Sequence, residues 1–400
     1  MKSYVQTSRY EARGVSASKS EVHAAVAKMD KGIFPGAFCT IHPDYLGGSR
    51  AHCIIQHADG AGTKSSLAYL VWKTTGDINV WRGIAADSLF MNLDDAGCAG
   101  ALGPFLVDMT IGRNKALIPG EVIRTIIEEC QNICDWLTDN DMPCIFTGGE
   151  TADVGDLVRT IIVDNSITTR FRRSEVIDAS RIRAPAYIVG FSSTGRAIWE
   201  PRPNSGMGSN GLTNARHDTL AKEYRRYPET FAPETDEKLI YCGDYSLTDI
   251  LPGSMFSIAS ALLSRTRDYL PLIQRIVPEI GRKRILGFIH CSGGGQTKIG
   301  KFGHAGSVYV KDNLFPVPPL FSMLQKVRKL PWDQMYTSYN MGHRLEAVVK
   351  SEKTAERMIT ISKDCGIDAR IVGRVEWRAS TMRHVIITDP TGRCHNYSFD

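Results

Sequence analysis

His290-Cys-Ser-Gly-Gly-Gly295 closes the apolar run Arg284-Ile-Leu-Gly-Phe-Ile289. The run has the length and side-chain types of a buried strand. Three glycines after a strand give up side-chain packing and backbone entropy. That suits a place where backbone must approach a ligand closely. Two upstream stretches share this character: Asp59-Gly-Ala-Gly-Thr-Lys64 and Thr147-Gly-Gly-Glu-Thr-Ala-Asp153. Together they predict bare backbone N–H groups, acids and a lysine converging on phosphates and a metal.

The surroundings are those of an ordinary globular protein. At 400 residues the chain exceeds what one core usually serves, and two domains are expected, 1–180 and 181–400. The boundary falls in the arginine-rich stretch 170–186. A net charge of +5 suits anionic small substrates and is too weak and dispersed to argue for nucleic acid. The opening residues lack the apolar core of a secretory signal, and no run reaches the length of a membrane span. The ten cysteines form no C-x-x-C pair, so a reducing cytoplasm and no structural zinc are expected.

Strands are expected at Cys53–His57, Phe105–Ile111, Cys144–Phe146, Arg159–Val163 and Ala186–Phe191. The clearest helix runs from Pro119 to Asp139, with Cys130 and Cys134 as buried thiols on its apolar face. Another is expected around Ile84–Met91, ending at Asp94-Asp95, and Ser257–Arg275 reads as largely helical. The end repeats a β–α–β theme, with strands at Leu345–Val349, Arg370–Val375 and His384–Thr388. The alternation predicts an α/β or α+β architecture.

Three near-matches to phosphate signatures fail. Gly295-Gln-Thr-Lys-Ile-Gly-Lys-Phe302 has Phe302 where a P-loop needs a hydroxyl. Gly206-Met-Gly-Ser-Asn-Gly211 follows Pro201-Arg-Pro-Asn-Ser205 rather than a strand. Gly60-Ala-Gly-Thr-Lys-Ser65 lacks the leading half of a P-loop. Asp59 to Lys64 still puts a carboxylate, flexible glycines and an ammonium at a strand-to-helix junction, though an ordinary turn with an exposed lysine has the same pattern. Asp94-Asp95 suits a hard cation or a solvated helix end. His290 suits a catalytic base or a satisfied core histidine.

In order, these segments resemble the phosphoribosylformylglycinamidine cyclo-ligase (aminoimidazole ribonucleotide synthetase) family. Its pattern includes D-G-V-G-T-K, V-N-D, G-G-E-T-A-E, S-S-G-x-H-S-N-G, L-x-P-T-R-I-Y and H-x-T-G-G-G. Matching stretches are Asp59–Lys64, Leu93-Asp-Asp95, Gly148–Asp153, Asn204–Gly211, Leu263-Ser-Arg-Thr-Arg-Asp-Tyr269 and His290–Gly295. Fainter echoes are Tyr10–Val15, Tyr339-Asn-Met-Gly342 and Ile371–Arg374. Departures are Asp94 for asparagine, Gly208 for histidine, Arg265 for proline, and an extra segment around Asp244–Ile258.

The resemblance implies two α/β domains per chain and a homodimer whose N-terminal strands combine into a barrel. It implies ATP and Mg²⁺, and closure of an imidazole ring in purine synthesis after phosphorylation of a formamide oxygen. It assigns catalysis to Asp59, Lys64 and His290, and metal binding to Asp59, Asp94 and Asp95. ATP falls to Gly60, Gly62, Thr63, Lys64, Gly148, Gly149 and Glu150. The ribonucleotide substrate falls to Ser209, Asn210, Gly211, Gly293, Gly294 and Gly295. Alternatives are another ATP-using enzyme of the same scaffold, such as a small-molecule kinase or an amidotransferase-like synthetase, or a nucleotide-binding scaffold without catalysis.

Overall fold

A computed structural model describes residues 9–15 and 20–400. The opening residues Met1 to Ser8, read for the absence of a signal, lie outside them. Two sheets carry the chain. The first uses β1 (His42–Pro43), β2 (His52–Gly60), β3 (Phe105–Arg113), β4 (Cys144–Asp153) and β5 (Ile161–Arg172), in the order β1-β2-β5-β3-β4. Burial alternates along β3 and β5, as expected for a sheet with one covered face. Val107, Ile111, Val163 and Ile167 pack against the helices Val80–Cys98 and Gly120–Asp139. The other face shows Leu106, Ile145 and Ile162 to solvent.

The second half begins with β6 (Ala186–Ser192) and a short hairpin of β7 (Thr194–Gly195) and β8 (Asn204–Ser205). It continues with β9 (Ile285–His290), β10 (Ser307–Lys311), β11 (His343–Val349), β12 (Ala369–Trp377), β13 (Arg383–Thr388) and β14 (Cys394–Phe399). The larger sheet runs β14-β13-β10-β12-β6-β11-β9. Every residue of β9 and β11 is buried. Val348 joins one core and its neighbours Ala347 and Val349 another, so this sheet is covered on both faces. The mixed α/β class agrees with the sequence reading.

Several local expectations change. The helix carrying Asp94 and Asp95 does not end there but runs on to Cys98, because apolar and small residues continue its packing face. The Gly148-Gly149 motif is not a loop. It lies inside β4, with Gly148 at φ +112° and Gly149 at φ +151°. A Cβ at Gly149 would sit 1.8 Å from the Met109 carbonyl oxygen, so glycine is needed for close strand approach. The stretch 257–275 splits into helices Ile258–Leu262 and Leu270–Ile280. The connection between them carries Ser264 to Tyr269 into the site described below. The extra segment packs Leu247 and Leu251 into a core through bridges such as Leu220 with Tyr245 and Ile250 with Ser257. Cys130 and Cys134 are buried, and the ten cysteines are free thiols.

Among the described residues, no helix is long and apolar enough to cross a membrane.

Candidate active site at the seam of the two halves

The helix Val80–Cys98 runs between the two sheets and supplies one polar group after another. Asp87 takes Lys64, whose ammonium lies 2.8 Å from Oδ2 and also donates to the Ser264 carbonyl at 2.6 Å. Lys64 is fully buried. Burial pulls its pKa down, and Asp87 opposes that pull. The same Asp87 accepts the Thr266 amide at 2.6 Å. Lys64 thus ties the first glycine loop to the 264–266 connection, and its ammonium is occupied by protein groups rather than open to a phosphate.

One turn on, Asn92 binds His57 and the carbonyls of Asp59 and Asn165. Next come the two aspartates. Asp95 accepts from His290 Nδ1 at 2.7 Å. Burial raises its pKa most, but the His290 hydrogen bond together with the His290, Lys298 and His57 charges leaves it lowered. Asp94 turns the other way. Its Oδ1 accepts the Tyr269 and Leu270 amides at 2.8 and 3.0 Å, while Oδ2 is buried without a hydrogen bond, 3.9 Å from His290 Nε2. Burial, then the nearby Asp268, raises its pKa well above the ordinary range. Burial pushes Asp268 up to about 7. Asp94 is therefore biased towards its neutral form.

His290 is fully buried with both ring nitrogens engaged. Nδ1 donates to Asp95, and Nε2 accepts from Arg344 Nε at 2.9 Å. Burial and then the Arg344 charge push its pKa down to about 4. This corrects the expectation of a histidine titrating near neutrality. Its pKa does not suit proton exchange there, because burial and the Arg344 charge outweigh the Asp95 bond that favours the imidazolium.

The rim of the site is made by loops far apart in sequence. Thr63 and Thr213 hydroxyls meet at 2.9 Å. Ser209 and Thr266 hydroxyls lie 3.4 Å apart. A Cβ on Gly293 would lie 4.0 Å from Asn210 Nδ2. Lys298 Nζ donates to Ser292 at 2.7 Å and lies 4.7 Å from the Phe38 ring centroid. Gly62, Thr63 and Gly293 are exposed, and Ser209, Asn210 and Gly294 half-buried. Thus Asp59 to Lys64, Ser209 to Gly211 and Gly293 to Gly295 come together.

The Gly148-Gly149-Glu150 group does not join them within one chain. Strands β5 and β3 separate β4 from β2, a gap of about 14 Å at the usual strand spacing. Glu150 is exposed, and Asp153 bonds Arg113 at 2.7 Å. Nor do Asp59, Asp94 and Asp95 assemble into a metal cage. Among the described residues no three His, Cys, Asp or Glu side chains converge to hold an ion. Asp94 is spent on backbone amides and Asp95 on His290, so this donor set does not fit Mg²⁺ as arranged. Sequence reasoning missed Arg344, Thr266 and Asp268. Arg344 lies at the second position of β11, where arginine ordinarily signals a solvent-facing site.

No protein-family model matches the chain. A phosphoribosylformylglycinamidine cyclo-ligase of Methanococcus vannielii is 26% identical over 319 residues, covering 80% of this chain and 76% of that relative. The Alkaliphilus metalliredigens protein of the same name is 24% identical over 374 residues, covering 91% of each. The chain resembles the cyclo-ligase family as a divergent relative. The solved structure of a HypE–HypF complex superimposes with a TM-score of 0.54 at 14% identity, covering 96% of this chain and all of that one. Hydrogenase maturation protein HypE in complex with ATP gives 0.51 at 12% identity, covering 95% and 94%. The fold is therefore the one shared by HypE and the aminoimidazole ribonucleotide synthetases.

Two departures from the cyclo-ligase pattern now have a physical account. A Cβ at Gly208 would lie 1.9 Å from Arg344 Nη1, so the guanidinium occupies the space that the family's histidine side chain would enter. Asp94 in its neutral form has the shape and hydrogen-bonding capacity of the asparagine it replaces. Arg265, in place of proline, lies 5.2 Å from the Phe90 ring centroid and 3.8 Å from Glu129.

Proposed function

We propose that the protein is an ATP-dependent cyclo-ligase that closes the imidazole ring of aminoimidazole ribonucleotide from formylglycinamidine ribonucleotide. The observation that supports this most is the meeting of the Asp59–Lys64, Ser209–Gly211 and Gly293–Gly295 loops at one rim, in a chain whose relatives carry that name. An amide oxygen is a poor leaving group. Transfer of the γ-phosphoryl of ATP to the formamide oxygen makes it a good one. The amidine-side nitrogen then attacks the activated carbon, and phosphate departs. The chain's part is to position and to neutralise charge.

In this reading, the amides of Gly60 and Gly62 with Thr63 hold triphosphate, and Gly293 to Gly295 admit the amide end of the substrate. Lys64 and His290 act as a buried frame rather than as groups touching phosphate. Asp59 stays a candidate for the reacting end through its place at the mouth of the first loop. The open face of the first sheet is where a second copy would pack, and Gly148 to Glu150 would contribute from that face. No step is assigned to Mg²⁺ ligation by Asp94 and Asp95. The 1–180 and 181–400 units and a cytoplasmic setting belong to the same proposal.

The test is incubation with ATP, Mg²⁺ and the amidine ribonucleotide, assayed for the imidazole amine and free phosphate in equal amounts. Phosphate transfer to an acceptor without ring closure identifies a kinase instead. Binding of ATP with no turnover identifies a scaffold.

A further inference from the structure

Two buried arginines frame the seam, and each is only 2% exposed. Arg267 faces Glu200 through two bonds, Nε to Oε1 at 3.0 Å and Nη2 to Oε2 at 2.6 Å. Arg344 has no carboxylate in contact. Its hydrogen bonds go to the neutral His290 ring, to the Thr266 hydroxyl at 3.3 Å and to the Met91 sulfur at 2.7 Å. A buried guanidinium with such weak acceptors is under-compensated, and it must polarise whatever it touches.

The direction of that polarisation follows from hydrogen-bond inventory. A guanidinium only donates. Thr266 Oγ1 therefore accepts from Arg344 Nη1, and its own proton stays available to Ser209 Oγ, 3.4 Å away. A Ser209 oxygen that accepts this hydrogen bond keeps its own proton for another acceptor. Thr266 is fully buried, whereas Ser209 is half-buried at the rim beside Asn210. We propose that Arg344 and Thr266 are positioning residues that aim the Ser209 hydroxyl proton out of the rim as an anchor for a substrate oxyanion. This rests on the cyclo-ligase reading only for placing the substrate at this rim. The ligand chemistry is a phosphate monoester oxygen, which only accepts. Its two sources at this rim are a sugar phosphate and the terminal phosphates of a nucleotide. Gly208 belongs to the device, since any side chain there would push the guanidinium off Thr266.

The experiment is calorimetric titration of the full chain with ribose 5-phosphate and, separately, with ATP. Thr266→Val keeps the side-chain shape and the Thr266 amide bond to Asp87, and removes only the relay hydroxyl. Its dissociation constant for one of the two ligands should rise at least tenfold. Thr266→Ser should restore binding to within threefold. Ser209→Ala, at a half-buried position, should match Thr266→Val. A loss confined to ribose 5-phosphate makes the sugar phosphate the source, and one confined to ATP makes it the nucleotide. Equal affinity of parent and both variants for both ligands overturns the proposal, as does failure of the parent to bind either, or failure of Thr266→Ser to rescue. Neither readout involves turnover, so an absent imidazole product would defeat the proposed reaction and leave this result standing on its own.

Discussion

Arg267 and Arg344 are equally buried, and they teach opposite things. Around Arg267 the chain has built a closed object. Glu200 grips one edge of the guanidinium with two bonds, and the Ser192 and Thr194 carbonyls take Nη1. Around Arg344 it has built an open one, with an imidazole, a hydroxyl and a thioether as partners. A closed pair holds two segments in place. An open cation leaves field to spare, and in this molecule it is spent on the rim where the glycine loops meet.

The largest expected effect tests the closed side. Glu200→Leu leaves the Arg267 charge buried and unpaired, and urea unfolding should show a loss of about 3–5 kcal/mol. Arg344→Met removes an already under-compensated charge and should lose distinctly less. Equal losses would erase the contrast.

The second effect concerns acid. The His290 pKa is about 4 in the folded protein, against about 6.5 in an unfolded chain. The unfolded state therefore binds more protons between these values, and stability falls as pH drops through that window, by on the order of 3 kcal/mol at its lower end. Asp268, raised to about 7, works in reverse. Its neutral form is favoured by folding, so its contribution is present at low pH and lost as pH rises towards 7. The two slopes oppose each other in the parent. Asp268→Asn should unmask the His290 slope, giving a steeper loss from pH 6.5 to 4 in pH-resolved denaturation. An unchanged profile would mean that Asp268 contributes no opposing slope in the parent.

A smaller effect tests the space around Arg344. Gly208→Ala places a methyl group on Nη1 at a left-handed φ of +65° and should cost about 1–3 kcal/mol. Adding Arg344→Met should recover part of that loss, a coupling that thermal unfolding of the double variant would reveal. The smallest effect belongs to Asp94→Asn. A neutral acid and an amide are near-isosteres, so stability at pH 8 should match or slightly exceed the parent, within about 1 kcal/mol. A larger loss would mean that Asp94 is ionised in the folded protein.

The legible parts of the sequence were those whose residue type leaves little choice. The apolar run before His290 is β9, and the amphipathic pattern after Pro119 is the helix Gly120–Asp139. Of the three bare-backbone stretches expected to converge, those at Asp59 and His290 reach one rim and Thr147–Asp153 does not, while the Ser209 stretch, placed by the resemblance alone, joins the first two. What stayed hidden depends on tertiary context. Gly148-Gly149 looks like a chain break, yet two positive-φ glycines fit within β4 where Met109 presses close. Asp94 and Asp95 look alike as neighbours on a chain, but a helix turns them about 100° apart, towards different partners and different charge states. Arg344 gave no signal because nothing in local pattern marks a strand residue whose charge is enclosed by other segments. The helix Pro319–Arg328 and strand β14 went unread, their short apolar spacing being interrupted by polar residues.

Arg13 bonds Asn214, Asp218 and the Leu239 carbonyl, and Asp218 in turn receives Arg328. Ribosomes deliver a polypeptide from its amino end, so Arg13 emerges long before any of these companions exist. Its stretch must wait through the synthesis of the first sheet and well into the second half before it can dock. A segment made before its companions is thus settled only by them, and its attachment reports that Asn214, Asp218 and Leu239 have taken their places.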